Sequence, residues 1–393
     1  MREKIIQMIL TLPMVMLLFW GNSHVKLEVL ASEEMEGLSV REQYEEYEAR
    51  FEAIKNSSDI ENNGFRILDG QVFQVVFESF GEEPVTFMVA KDETYNRIAI
   101  FLADKDEQII YKYNRLETNN RVLGQMWQNT EDIAAVSFVD LNDDAMQDVI
   151  LISKCRNDLG EYSDKTYKIG DVLFQGDQYF YRDYRISQTI NRFGMNKSAK
   201  CVVSYVRDNI SAEFLYTATT KEELLKKGFE TEDEQCYYRD FEKLGRLQVM
   251  PGSFKMGDYN IFMVYLIDTK GDIVWSFQPM GDYDNLYALR GISGKDVDGD
   301  GMKDIVVLAK YSYESPEGKW EIAMACSVYY QRTGGFDVDT EFVEQFVCPN
   351  DITMEALVNE IRAFWGWETE EVTEYMKQKK MNEAKDDQST DSR

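Results

Sequence analysis

The sequence predicts an all-β protein, and three observations carry that prediction. From Gly70 to about Phe342, short runs rich in Val, Ile, Phe and Tyr are separated by Gly, Asn and Asp turns. Several of these runs recur in the same order in the two halves of the chain. An aspartate-rich loop also sits between two hydrophobic runs in each half. At 393 residues with 44% hydrophobic content, the chain holds enough apolar material for one large β domain or two ordinary ones.

The first strand-like set is Gln71 to Ser79, Val85 to Ala90, Arg97 to Ala103 and Gln108 to Tyr113. A second follows at Ala134 to Val139, Asp148 to Ser153, Lys168 to Gln175 and Gln178 to Tyr184. The repeat then becomes visible. Ile98 to Asp104 resembles Phe262 to Asp268, and Val139 to Ile152 resembles Lys295 to Leu308, which sets Asp140 opposite Asp296 at an offset of 156 residues. The same offset pairs Val172–Gln175 with Val328–Gln331, while the upstream pair lies 164 apart, so one connection differs in length between the halves.

Helices flank this body. Ser39 and Glu42 form a capping box ahead of Tyr44, Tyr47, Phe51 and Ile54 at helical spacing, which predicts a helix from Val40 to Lys55 within an N-terminal segment 32–69. Its aromatic stripe reads as a packing face. Thr220 and Glu223 form another capping box, and residues 219–241 read as a helical insertion on the β scaffold. In the segment 343–383, Met354, Leu357, Val358, Ile361 and Phe364 mark an amphipathic helix, and Glu370 to Lys380 reads as one more. Residues 384–393 are polar and read as a disordered tail.

Residues 1–31 read as a secretory signal: Arg2 and Lys4 precede a mostly apolar stretch from Ile5 to Trp20, short for a bilayer span, and Val29-Leu30-Ala31 suits cleavage before Ser32. The expected location is secreted or cell-surface, with membrane attachment only if that segment stays uncleaved. A formal net charge of −28 repels phosphate backbones and makes nucleic acid an improbable partner. The single His is His24, inside the signal segment, so the mature chain lacks imidazole. That excludes His-assisted nucleophiles and His-ligated zinc. The five Cys show no CxxC spacing; Cys201 and Cys236 are the pair placed to staple the insertion, while Cys155 and Cys326 read as buried hydrophobes.

The residues that carry chemistry are acidic. Asp296, Asp298, Asp300 and Asp304 place oxygen donors at loop positions 1, 3, 5 and 9, with Gly301 at the turn and the carbonyl of Met302 as a further ligand. This hard-oxygen set suits calcium and offers nothing to zinc or copper. The segment Ile305 to Leu308 continues as a strand, which separates the loop from an EF-hand. The second loop offers Asp140, Asn142, Asp144, Asp148 and the Met146 carbonyl, but Ala145 stands where the first has Gly. A left-handed Ala costs about 1 kcal/mol and Asn142 removes a charge, so weaker binding is expected there.

Both loops, each set between hydrophobic strands, resemble the FG-GAP or VCBS repeats of integrin-α-type β-propellers. The resemblance implies a propeller-like body of four or five blades with calcium stiffening a blade; the runner-up is two similar β domains in tandem. The expected function is a calcium-binding module for an extracellular protein or glycan. The alternative is a carbohydrate-active lyase or hydrolase working without His, for which Trp275, Trp320, Tyr329 and Tyr330 are candidate sugar-stacking aromatics. Phe364-Trp365-Gly366-Trp367 reads as packing of the C-terminal helix onto the β body.

Overall fold

The computed structural model describes residues 39–120, 129–156, 166–281, 285–314 and 319–390. The signal-segment reading lies outside them. Two compact units divide the chain at Ala49/Arg50. Helix α1 (Val40–Ala53) crosses that boundary and is capped by Ser39, whose hydroxyl accepts from the Glu42 amide at 3.3 Å and whose own amide donates to the Glu42 carboxylate at 2.7 Å. Tyr44 is 43% exposed, so the aromatic stripe is narrower than the spacing predicted.

The second unit is built on antiparallel sheets. Sheet 1 orders β1 (Phe65–Val75), β2 (Val85–Asp92), β3 (Ile98–Ala103) and β4 (Ile109–Tyr113) as a simple meander. Sheet 2 repeats the plan with β5 (Asn129–Val139), β6 (Asp148–Arg156), β7 (Thr166–Gln175) and β8 (Phe180–Arg182). Sheet 3 holds β10 (Tyr237–Phe241), β11 (Gly245–Met256), β12 (Tyr259–Ile267) and β13 (Ile273–Phe277), with the two-residue β9 (Glu230–Thr231) paired to β11. Sheet 4 is β14 (Asn285–Ser293), β15 (Ile305–Glu314), β16 (Trp320–Arg332) and β17 (Gly335–Val338).

Inner strands are buried on both faces, which explains their unbroken apolar runs: every residue of β3, Ile-Ala-Ile-Phe-Leu-Ala, is buried. Edge strands alternate instead, as in β13, where only Phe277 is fully buried. Sheet 1 packs on sheet 2 through Phe87, Val89, Ile100 and Leu102 against Val149, Leu151 and Leu173. Sheet 3 packs on sheet 4 through Val249, Val264 and Leu266 against Ile305, Val307 and Tyr329. The sequence repeat is thus a structural one, β1–β8 answering β10–β17.

Helix α2 (Ser57–Asn62) precedes β1, and among the described residues four helices lie between the two pairs of sheets: α3 (Tyr184–Arg192), α4 (Ala199–Val206), α5 (Phe214–Thr217) and α6 (Lys221–Lys226), all after β8. Ile190, Phe193, Val202, Phe214 and Leu224 from the last four share one core with Ile150 and Val172 of sheet 2 and Met263 and Tyr265 of sheet 3. The expected insertion at 219–241 is therefore displaced. It starts near Tyr184, and Tyr237–Phe241 is the first long strand of sheet 3, its side chains alternating between half-buried and exposed before Phe241 closes the core. The missed helices carry readable caps: Asp183 accepts from the Arg185 and Ile186 amides, and Ser198 from Cys201.

None of the sheets closes on itself, and the outward faces of the first and last are covered by helices. Phe51, in the last turn of α1, packs on Phe65 and Phe101 of sheet 1 at ring-centroid distances of 6.2 and 5.7 Å. The far face of sheet 4, with Val306, Leu308 and Val328, is covered by α7 (Glu341–Gln345) and α8 (Met354–Phe364) through Phe342, Leu357, Val358 and Ile361. A ring of blades needs those two faces to meet each other, so the closed-propeller expectation gives way to its tandem alternative. The last helix, α9 (Glu370–Thr390), runs on through residues read as a disordered tail. Its Glu, Lys, Gln and Met content favours helix even where little is buried. Among the described residues, no helix is long and apolar enough to cross a membrane.

Candidate metal centre

The loop from Asp296 to Asp304 joins β14 to β15, and its shape is imposed by carboxylates bonding back to the backbone. Asp296 accepts from the amides of Gly299 at 2.8 Å and Gly301 at 2.9 Å. Asp298 accepts from the Asp300 amide at 3.3 Å, and Asp300 from the Met302 amide at 2.8 Å. Gly299 and Gly301 both sit at φ +83°, the left-handed region where a side chain is strained.

Asp304 anchors the floor. It is fully buried, and its two oxygens accept from the amides of Val297 at 2.8 Å and Gln331 at 2.9 Å. Burial is the largest influence on its carboxyl and pushes it up to about 7, against those two hydrogen bonds.

Ligand oxygens of Asp296, Asp298 and Asp304 lie within 4.8 Å of one another. Oxygens on opposite sides of a calcium ion stand about 5 Å apart, twice the 2.3–2.6 Å bond, so this spacing and this oxygen-only donor set fit the ion. Asp300 falls outside the group. Its outer oxygen is bonded at 3.1 Å by Arg332, whose other nitrogen reaches Asp298, also at 3.1 Å. Burial, followed by the charges of Asp298 and Asp296, holds the Asp300 carboxyl above its ordinary value.

The loop between β5 and β6 copies this framework. Asp148 is fully buried and accepts from Leu141 at 2.8 Å and Gln175 at 2.9 Å, each 156 residues before its counterpart. Burial pushes its carboxyl up to about 6. Asp140 accepts from Ala145 at 2.8 Å, and these turn amides outweigh burial to hold it below the usual range. Asn142 donates to Asp144 at 3.0 Å, and Asp144 accepts from the Met146 amide at 2.9 Å. Among the described residues these acids form no convergent trio of the kind seen around Asp304.

Sequence reasoning missed the second layer of both sites. A glutamate from the preceding sheet caps each loop: Glu242 accepts from the Lys303 amide at 2.8 Å, and Glu78 from Gln147 at 2.9 Å. The two are 164 residues apart, the upstream repeat offset, which is the signal that could have found them. Burial raises Glu242, but its bonds from Lys303 and Gln331 prevail and bring it down to about 2. Gln331 also donates to the Lys303 carbonyl at 2.9 Å; Gln175, with its amide turned to satisfy both ends, donates likewise to Gln147 at 2.9 Å.

The Asp296 loop alone has a clamp from the C-terminal helices. Arg362 donates to the Asp296 carbonyl at 3.1 and 3.0 Å, and Trp367 lies against Gly299 so closely that a Cβ there would meet its ring at 3.2 Å. The Trp365 indole donates to the Tyr330 hydroxyl at 2.7 Å. The aromatic segment 364–367 is thus a packing element, as expected. The four candidate stacking aromatics do not form one face: Tyr329 and Tyr330 are buried, while Trp320 is exposed.

Ala145 sits at φ +65°, the position of Gly301 in the other half. Ala145→Gly is expected to stabilise the protein by about 0.5–1 kcal/mol, or about 2 °C in a thermal melt in chelator. A lower melting temperature would show that this turn is not strained as its angle implies.

No protein-family model matches the chain, and no curated protein matches it. Among solved structures it is similar to an exotype rhamnogalacturonan lyase, YesX, with 13% identity and a TM-score of 0.20 over 69% of this chain and 48% of that one. Rhamnogalacturonan lyase YesW matches at 13% identity and TM-score 0.20, over 69% of this chain and 50% of that one. The chain spans about half the length of these structures, and a likeness at this level carries no argument about its activity.

Proposed function

We propose that this chain is a secreted or surface-associated calcium-binding β-repeat protein, built as two similar pairs of antiparallel sheets, that binds an extracellular protein or glycan. The observation that carries the reading is the convergence of Asp296, Asp298 and Asp304 in a strand-loop-strand turn whose framework recurs at Asp140–Asp148. Asp296, Asp298 and Asp304 would hold the ion in one half, with Met302 as a carbonyl ligand; Asp140, Asn142, Asp144, Asp148 and Met146 would do so in the other. The ion supplies fixed positive charge at the joint between two strands. This is the role such loops have in the FG-GAP and VCBS repeats that the sequence resembles, and the acidic surface agrees with a cation partner.

The test is a protein and glycan binding screen of the mature chain, run with calcium and with chelator. Binding to at least one ligand class is expected to fall about tenfold or more in chelator, and Asp298→Ala is expected to reproduce that loss in calcium. Binding that is identical in both buffers would remove calcium from the function.

A further inference from the structure

Cys326 lies on β16 with its side chain in the core between sheet 4 and the C-terminal helices, and Cys348, in the segment joining α7 to α8, packs against that same core. The two thiols therefore share one core, and their mutual interaction pushes Cys326 up and pulls Cys348 down. The remaining thiols have other surroundings: Cys155 contacts the Thr118 and Thr130 hydroxyls at 3.6 Å, and Cys201 donates to the Met256 carbonyl at 3.2 Å. Cys201 and Cys236, the pair that could have stapled the insertion, are unbridged, and the Cys201 thiol is bonded to a backbone carbonyl instead. Cys326 and Cys348 also line a cavity of ≈ 1160 Å³ with Ser327, Phe346 and Val347, which gives a small molecule access to the pair.

We propose that Cys326 and Cys348 form a disulfide that anchors the C-terminal helices to sheet 4, a conclusion independent of the calcium reading. Cys348 is half-buried while Cys326 is nearly enclosed, so Cys348 is the thiol an external oxidant meets first. The interaction with Cys326 is the largest influence on the Cys348 thiol and pulls it below its ordinary value, favouring thiolate there. The Cys348 thiolate attacks a low-molecular-weight disulfide such as oxidised glutathione, forming a mixed disulfide and releasing one small thiol. Cys326 then loses its proton and displaces the second small thiol, leaving a Cys326–Cys348 bond. Two electrons and two protons pass from the protein to the small disulfide, which becomes two thiols.

The bridge would close the stretch that carries β17 and α7 and fix the root of α8. Arg362 of α8 grips the Asp296 carbonyl and Trp367 covers Gly299, so the anchored helix also secures the clamp over that loop.

The full chain is equilibrated with reduced and oxidised glutathione at graded ratios, alkylated, digested with trypsin and mapped by mass spectrometry without reduction. The expected product links the peptide 320–332 to the peptide 333–362 with loss of two hydrogens, while Cys155, Cys201 and Cys236 stay alkylated. The oxidised protein is expected to melt about 5 °C above the reduced one, and Cys348→Ser to abolish that difference. Separate alkylation of Cys326 and Cys348 at every ratio, or a crosslink to another cysteine, would overturn the bridge. A correct crosslink with no change in melting would overturn the anchoring role. Calcium titration of the reduced protein is read separately, so failure of the metal reading leaves this result unaffected.

Discussion

With calcium in excess, the protein is expected to melt about 5 °C higher than in chelator, and Asp304→Asn is expected to erase that gain. Carboxylates within 4.8 Å repel by about 3 kcal/mol per pair at an effective dielectric near 20. Arg332 and solvent offset part of this, and a divalent cation offsets the rest. A ligand at about a hundred times its Kd stabilises by about 2.7 kcal/mol, which is the size of shift expected here. Asp304 is the member that cannot turn away, because both oxygens are committed to backbone amides inside the core. An Asn there keeps one acceptor and turns an NH₂ group toward a second donor, so the variant also loses about 1–3 kcal/mol outright.

The same residue sets the pH dependence in chelator. Its folded-state value of about 7 lies above the ordinary 3.8, so the metal-free fold binds this proton more tightly than the unfolded chain does. The resulting stabilisation is complete below about pH 4 and is lost as pH rises through 7, on the order of 4 kcal/mol in all. Calcium reverses the trend, since it binds the ionised form. Melting curves from pH 5 to 8 should therefore fall in chelator and stay level or rise in calcium. Curves that coincide in the two buffers would mean that no ion enters the loop.

How much of this was legible follows from which residues act locally. The inner strands of both halves were readable because they are buried on both faces, whereas the edge strand Tyr237–Phe241, despite its alternation, reads as part of the insertion. The repeat was readable because Asp140 and Asp296 sit in the same local sequence. Helices α3 to α5 were not, although Asp183 and Ser198 announce two of them, because their apolar residues resemble short strands in the surrounding sequence. Ring closure was not legible either, since it depends on what covers Phe101 in sheet 1 and Val306 in sheet 4, and those partners come from the two ends of the unit. At the site, the loop positions were visible, yet Glu78, Glu242 and Arg332 were not: each reaches its loop from a distant strand or turn.

Arg332 changes the expected ranking of the two loops, and its removal is the second large effect. Counting aspartates at the ligand positions makes the Asp296 loop the stronger site, with four acids against three and no left-handed Ala. Arg332 cancels that extra charge: it bonds Asp298 and Asp300 at 3.1 Å each and lies over the Tyr330 ring at 5.2 Å. Its counterpart 156 residues earlier is Gly176, so the Asp140 loop has no arginine at the corresponding position. An ion entering the Asp296 loop has to take Asp298 from the guanidinium, and that exchange weakens binding by the strength of the pair. Because the guanidinium is 39% exposed, solvent screens the pair to about 1 kcal/mol. Arg332→Gln is therefore expected to tighten calcium at the Asp296 loop about five- to tenfold while lowering the melting temperature in chelator. Terbium is a suitable reporter, since Trp367 packs against Gly299 and can sensitise its emission at this loop in preference to the other. Titration of wild type and Arg332→Gln with terbium, followed by displacement with calcium, separates the cases. An unchanged calcium constant would show that the arginine leaves Asp298 without cost, and a weaker one would make it a support of the site instead of a competitor.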